Sequence, residues 1–367
     1  MRVAFPHMGN LYIPLTSLLE NLGCEVKLPP RPSRKSIELG VKYSPEWMCF
    51  PYKANLGDLI LALQNGADTL LSVKGDWACR FGYYGRLHHK TLRDMGFKFE
   101  SIIIGKNSVM YVINKVKKLK KGSLTKTILH MIRGFWMCWK KSKLVDLTER
   151  LARKYRPYAK NKKDVERVLN KCLRWIYKEK TLSGLDRLRK KIIKEFEKIE
   201  CDWGKEVLKV KLVGETYIVI EPAVNFDIER RLGEMGVYVE PFLTIHKWIW
   251  HPFHIGLGGK RGERAARRVA RKYLKHCIGE EEQLSIGYTI FAAKDGFDGV
   301  IHLYPFTCMT ENVAKEILPK LQKEYNIPVM SITIDEHTGE AGFISRIEAF
   351  VDLLKARRKN ANTGSRC

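Results

Sequence analysis

The sequence predicts an α/β protein with two parallel-sheet lobes related by internal duplication and a basic helical insertion between them. Three observations predict it. Short apolar runs alternate with stretches of helical period in both halves of the chain, the pattern of parallel strands joined by covering helices. Two segments, "GADTLLSVKGDWACRFGYYG" (66–85) and "DGFDGVIHLYPFTCMTE" (295–311), share one order: Gly, any residue, Asp, an apolar run, a turn, then Cys. Between the halves lies a long stretch with helical spacing and few strand signals.

In chain order, strands are expected at 2–6, 25–28, 69–73 and 101–104, alternating with helices at 11–22, 55–65 and 86–95. The second half repeats the plan, with strands at 217–221, 237–240, 299–304 and 329–334 and helices at 226–235, 262–276, 310–324 and 343–355. "RVAFPHMGNLYIPLTSLLENLGCEV" (2–26) and "YIVIEPAVNFDIERRLGEMGVYV" (217–239) are read as matching strand-helix-strand units. Such alternation belongs to the flavodoxin-like or Rossmann-like class, where sites assemble from loops at the carboxyl ends of the strands. The expected domains are a first lobe at 1–110, the basic helical insertion at 111–205, a second lobe at 206–358 and a flexible tail at 359–367.

The chain has 367 residues and a formal net charge of +26. Residues 111–200 hold 28 Lys+Arg against 9 Asp+Glu, so this segment supplies +19 of it. Such helices can meet nucleic-acid phosphates, an anionic partner such as coenzyme A or an acidic redox protein, or only solvent. No zinc-finger spacing, RNA-binding aromatic signature or helix-turn-helix pattern accompanies them, so nucleic acid is not favoured. No apolar run reaches the roughly 18 residues a membrane helix requires, and "MRVAFP" has no signal-peptide pattern, so a cytoplasmic protein with no membrane partner is expected. Nine cysteines without a compact secreted framework point to thiols in a reducing compartment.

Three of these thiols lie at element ends. Cys79 follows the strand at 69–73 in a loop flanked by Gly75, Gly82 and Gly85. Cys308 stands between Pro305-Phe306 and a helix start, where the helix field favours thiolate. Cys49 lies in the Pro-bracketed "YSPEWMCFPYKANLGDLI". Cys24, Cys138 and Cys172 read as core or helix-face residues, and Cys277 as a degenerate counterpart of Cys49. Zinc sites favour four ligands and compact Cys-x-x-Cys pairs, absent here, whereas iron–sulfur clusters accept ligands from distant loops. Spacing alone leaves three unrelated thiols as the alternative.

The set "WMCFPYKANLGDLI", "KGDWACRFGYYG", "GFDGVIHLYPFTCMTE" and "IPVMSITIDEHTGEAGFISRIEAFVDLL" resembles the 2-hydroxyacyl-CoA dehydratase superfamily of iron–sulfur proteins, closest to its activase-related, CoA-protein-activase-like branch. The resemblance implies a 4Fe-4S cluster held by Cys49, Cys79 and Cys308 with one iron open, or, in other relatives, a double-cubane cluster. It also implies an ATP-hydrolysing activase partner with its own cluster that injects one low-potential electron, a CoA thioester substrate dehydrated or reduced through a ketyl radical, and a dimer. Two departures stand out: Cys308-Met309-Thr310-Glu311 where the family often has Cys-Met-Pro-Glu, and "CIGEEEQLSIG" where it has a Gly-Gly-His-Gly-like stretch. The first leaves the ligand intact; the second removes a glycine-rich loop able to approach substrate. No Walker, GxGxxG or actin-type phosphate loop is evident, so ATP hydrolysis by this chain is not expected.

Other polar residues carry two readings each. Asp335, Glu336, His337 and Glu340 can bend toward the site or pair with Arg346; His88 and His89 can deliver a proton or lie on the surface. Arg80 and Lys74 can neutralise an anion or remain solvated. Trp47, Trp77, Phe81 and Phe306 fit a dry pocket or ordinary packing. The alternative for the whole chain is a non-catalytic electron-transfer or accessory protein docked through its basic helices.

Overall fold

The computed structural model describes residues 1–74, 79–105, 124–250, 260–279 and 281–364, without the side chains of 124–127 and 362–364. Two compact units emerge: 1–147 with 171–192, and 148–170 with 193–367.

The first unit is built on a four-stranded parallel sheet of order β2-β1-β3-β4, comprising β1 (Arg2–Ala4), β2 (Glu25–Val26), β3 (Thr69–Val73) and β4 (Glu100–Ile104). Its helices are α1 (Tyr12–Asn21), α2 (Arg34–Tyr43), α3 (Phe50–Gln64) and α4 (Phe81–Asp94). Helix α3 is buried along nearly its whole length, Lys53, Asn55 and Asp58 included, so "YKANLGDLILAL" shows little helical stripe. The core on that face includes Tyr52, Leu56, Leu59, Ile60, Leu70 and Leu92.

Three helices follow: α5 (Leu124–Tyr155), α6 (Lys162–Lys178) and α7 (Leu182–Glu197). Each is shared between the two units. Within the first, Gly134 of α5 lies against Leu18 and Asn21 of α1, and Lys140 pairs with Asp186 of α7 at 2.5 Å. Within the second, Arg156 is buried and pairs with Glu166 of α6 at 2.7 Å.

The second unit repeats the sheet as β6-β5-β7-β8, from β5 (Leu208–Gly214), β6 (Val237–Pro241), β7 (Gly299–Pro305) and β8 (Val329–Ile334). Its helices are α8 (Thr216–Ile220), α9 (Ile228–Glu234), α10 (Ile245–Trp250), α11 (Glu263–Ala270), α12 (Glu282–Lys294), α13 (Met309–Tyr325) and α14 (Glu340–Gly364). The repeat holds residue by residue. Val3 pairs with Thr69 and Val26 in one sheet, Val210 with Gly299 and Val239 in the other. Asp68 accepts the backbone N–H of Arg2 at 2.7 Å; Asp298 accepts that of Lys209 at 2.7 Å. A Cβ on Gly57 would meet the carbonyl oxygen of Ser36 at 1.8 Å, and one on Gly287 would meet that of Ala266 at 2.2 Å. Positions 36 and 266, 57 and 287, and 68 and 298 differ by the same 230.

One expected strand is corrected. Residues 217–220 fall in helix α8, with Glu221 at its C-cap, and the strand is β5, one element earlier. "YIVI" is β-branched and apolar, but Gly214 at φ +133 ends the strand with Leu303 packed on its backbone, and the Glu215 carboxylate caps the helix through the N–H of Ile218. The counterpart of "RVA" is therefore "KVK" (209–211), and the register of 2–26 with 217–239 holds only at its Gly23 and Gly236 end, where both glycines have positive φ.

Candidate functional site

In the first unit, Cys49 and Cys79 both stand just before a helix. Cys49 is the N-cap of α3 in extended backbone, with Pro51 in the first turn, and makes no capping bond to its own helix. Its sulfur instead lies 2.5 Å from the hydroxyl of Tyr84 on α4. Cys79 is half-buried, and its carbonyl accepts the N–H of Gly82 at 3.1 Å. Arg80 joins the two loops by donating to the carbonyl of Trp47 at 2.5 Å. Gly85 lets α4 approach β3, since a Cβ there would stand 2.9 Å from that of Ser72.

His88 and His89 are buried, at 2% and 1% exposure, which corrects the surface reading. Helix α4 begins at Phe81, not near residue 86, so both fall mid-helix. His88 donates Nε2–H to the Tyr52 carbonyl at 3.0 Å and stacks on the Tyr52 ring at 4.1 Å. His89 bridges Ser72 at 3.1 Å and Ser101 at 2.5 Å. Burial lowers the pKa of His88 to about 3 and of His89 to about 4, so both are neutral at pH 7 and their work is to fix α4 in place.

In the second unit, Cys308 is the N-cap of α13, three residues past β7, and is 4% exposed. Three carboxyls surround this strand end. Glu215 comes from the β5–α8 loop, Glu281 caps α12, and Glu311 lies in the first turn of α13. Glu311 is fully buried; its Oε2 accepts from Ser285 at 2.8 Å and meets His302 Nε2 at 2.8 Å. Its Oε1 has no hydrogen-bond partner among the described residues. His302, also fully buried, reaches Ser331 through Nδ1 at 3.1 Å and stacks on Tyr304. Glu281 accepts the N–H of Thr216 at 3.1 Å.

The carboxyls raise one another. Burial, with the charge of Glu311 adding, pushes Glu215 up to about 7; burial and then Glu215 and Glu311 push Glu281 well above the usual range. Cys308 is raised by burial first, then by Glu311 and Glu215, against the lowering effect of the Thr310 hydroxyl at 3.4 Å and the Glu311 backbone N–H. The thiolate-favouring helix field expected at this position is thus outweighed in the protein without ligand. The arrangement can store a proton beside a thiol at neutral pH.

The remaining sequence candidates are placed as follows. Trp47 and Phe306 are 76% and 64% exposed, so neither forms part of a dry pocket, while Phe81 packs edge-on to Tyr84. Trp77 lies outside the described residues. Glu340 pairs with Arg231, not Arg346, and Asp335 closes its own turn by accepting from Thr338 and the N–H of His337. Cys24, Cys138 and Cys172 are buried. Cys277 is exposed, lies 3.5 Å from Arg267, and lines an open cavity of about 410 Å³ with Arg271, Lys275, His276 and Gln283. By the step of 230 the counterpart of Cys49 is Gly279. Tyr84, Glu215, Glu281 and His302 were not singled out from the sequence. His302 alone carried a signal, a polar ring inside an otherwise apolar strand.

Cysteine sulfurs at the heads of buried helices suit an iron–sulfur cluster chemically, and Cys49 already receives a hydroxyl contact of the kind a bound thiolate accepts. Among the described residues no group of three or more His, Cys, Asp or Glu side chains is arranged to hold a metal ion, and Cys308 belongs to a different unit from Cys49 and Cys79. Among the described residues no helix is long and apolar enough to cross a membrane.

Fold and site together define a protein of two parallel α/β units with thiols at matching strand ends. The chain belongs to the 2-hydroxyglutaryl-CoA dehydratase D-component family, whose match spans residues 143–354, and it is a dehydratase-like component. That span contains Cys308 and all three carboxyls, while Cys49 and Cys79 precede it. None of the curated proteins compared with the chain matches it.

Proposed function

We propose that the chain is the iron–sulfur component of a 2-hydroxyacyl-CoA dehydratase-like system, with Cys49, Cys79 and Cys308 as ligands of a 4Fe-4S cluster. The observation that carries this reading is Cys308 at the head of α13, directly after β7 and inside the family-matched span, with Cys79 after β3, the equivalent strand of the other sheet. When bound, such a cluster supplies one low-potential electron and an iron open to a substrate oxygen. Arg80 ties the Cys49 loop to the Cys79 loop, and Glu311, in the first turn of the helix that Cys308 heads, is held in place by His302 and Ser285. The substrate class is an acyl-CoA thioester, the electron donor a separate ATP-hydrolysing activase, and the working form a dimer. The segment 111–205 is read as an insertion whose positive charge serves docking.

Anaerobic purification with iron and sulfide quantified, and electron paramagnetic resonance of the reduced protein, tests this. About four iron and four sulfide per chain, lost or altered in Cys308→Ala, is the expected result. About eight iron would replace the single cluster with a double cubane. Iron-free, folded protein indifferent to Cys308→Ala would overturn the reading.

A further inference from the structure

We propose that Tyr84 is a positioning residue for the Cys49 thiolate, its phenol donating a hydrogen bond to the sulfur that holds the cluster. The inference rests on the cluster reading above and goes beyond it by assigning a residue that controls one ligand's direction and electron density.

The geometry is specific. Cys49 Sγ and Tyr84 Oη are 2.5 Å apart, both residues are buried at 6% and 5% exposure, and they come from different helices. A ligating sulfur carries no proton, so in the bound state only the phenol can donate. Tyr84 has little freedom to turn away. Its ring stands edge-on to Tyr52 at 5.3 Å, to Phe81 at 5.3 Å and to His88 at 5.6 Å. The helices carrying the pair are joined one turn further on, where the neutral His88 donates to the Tyr52 carbonyl at 3.0 Å.

Among the described residues nothing equivalent serves Cys308, whose hydroxyl neighbour Thr310 is two residues away at 3.4 Å, on a side chain of its own helix. The thiols that head α3 and α13 therefore have different hydroxyl neighbours. A hydrogen bond to a ligating sulfur draws off negative charge and stabilises the reduced cluster, so the Tyr84 contact raises the midpoint potential.

The test compares anaerobically purified full-length wild type, Tyr84→Phe, and protein with a fluorinated tyrosine at position 84, a stronger donor. Iron content and midpoint potential, followed by electron paramagnetic resonance during redox titration, are the readouts. Tyr84→Phe should keep the wild-type iron content and shift the midpoint negative, and the fluorinated residue should shift it positive. Equal midpoints in all three, with iron retained, would overturn the role of Tyr84 and leave the cluster reading standing. Should Tyr84→Phe fail to fold, the fluorinated protein decides alone, an unmoved midpoint counting against the proposal. Iron-free wild type would overturn both.

Discussion

Adding one methyl group at Gly57 should loosen the helix that presents Cys49. The new Cβ would stand 1.8 Å from the carbonyl oxygen of Ser36, where ordinary contact begins near 3.4 Å, so α2 and α3 would have to part by about 1.6 Å. The obstacle is backbone, which cannot rotate aside, and the helices are equally close at Gly40, where an added Cβ would stand 1.8 Å from the Lys53 carbonyl oxygen. Overpacking of this kind costs about 3 kcal/mol, while Ala gains about 1 kcal/mol over Gly in helix propensity, leaving a net loss of about 2 kcal/mol. With a urea m-value of about 2 kcal/mol/M, the unfolding midpoint of the first unit should fall by about 1 M. Gly287→Ala, meeting Ala266 at 2.2 Å, should do the same to the second unit to a smaller degree. Gly342→Ala in α14, with no heavy atom within 4 Å, should raise the midpoint. Urea titrations read by far-ultraviolet circular dichroism measure all three. A Gly57→Ala midpoint equal to or above wild type would refute the close crossing.

The pH dependence should differ in sign between the units. Neutral buried His88 and His89, with pKa values of about 3 and 4 against an unfolded value near 6.5, stabilise the first unit above pH 6.5, and that stability is lost as pH falls from about 6.5 toward 4; His88→Asn should flatten the slope in acid titrations. Glu215, raised to about 7, contributes stability that is present below about pH 4.5 and lost as pH rises to 7, a trend that Glu215→Gln should remove while keeping the cap on Ile218. Arg80→Ala should lower iron retention on gel filtration with little change in the unfolding midpoint, because its bond to the Trp47 carbonyl ties two loops and not the core. Arg156→Ala should cost about 3 kcal/mol by stranding Glu166 and uncovering Gly233, whereas Lys140→Ala, losing a surface pair with Asp186, should cost less than about 1 kcal/mol in the same denaturation assay.

Much of the sheet plan was legible because β3, β6, β7 and β8 are short apolar runs between turn residues, and the Gly-x-Asp opening of 66–68 and 296–298 marks a real repeat: each Asp grips the backbone of the neighbouring strand. Strand β5 escaped notice because Lys209 and Lys211 interrupt its apolar pattern. Lys211 is in fact 7% exposed, its ammonium paired with Glu240 at 2.5 Å and lying over the Tyr288 ring. The positions of Cys49 and Cys308 at helix heads follow from Pro51 and from the turn after Pro305, both readable locally. What surrounds those thiols was not readable. Tyr84 reaches Cys49 across 35 residues, and Glu215 and Glu281 reach the Cys308 end from separate elements, so no local spacing encodes either arrangement.

These unlike surroundings bear on the cluster proposed above. At Cys49 the Tyr84 hydroxyl lies against the sulfur and the Arg80 guanidinium donates to the adjoining loop. At Cys308 the neighbours are Glu215 and Glu311, which favour the protonated thiol. Binding a metal at Cys308 then requires a proton to leave the thiol, and the closest groups able to take part are carboxyls that already hold protons near neutrality. Ligation at Cys308 is therefore expected to release a proton and to become more favourable as pH rises past 7. The repeat supplies the matching strand-end positions of Cys79 and Cys308, whereas Cys49 has no thiol counterpart. The surroundings of each were set separately, a phenol against the sulfur at Cys49 and carboxyls about the thiol at Cys308.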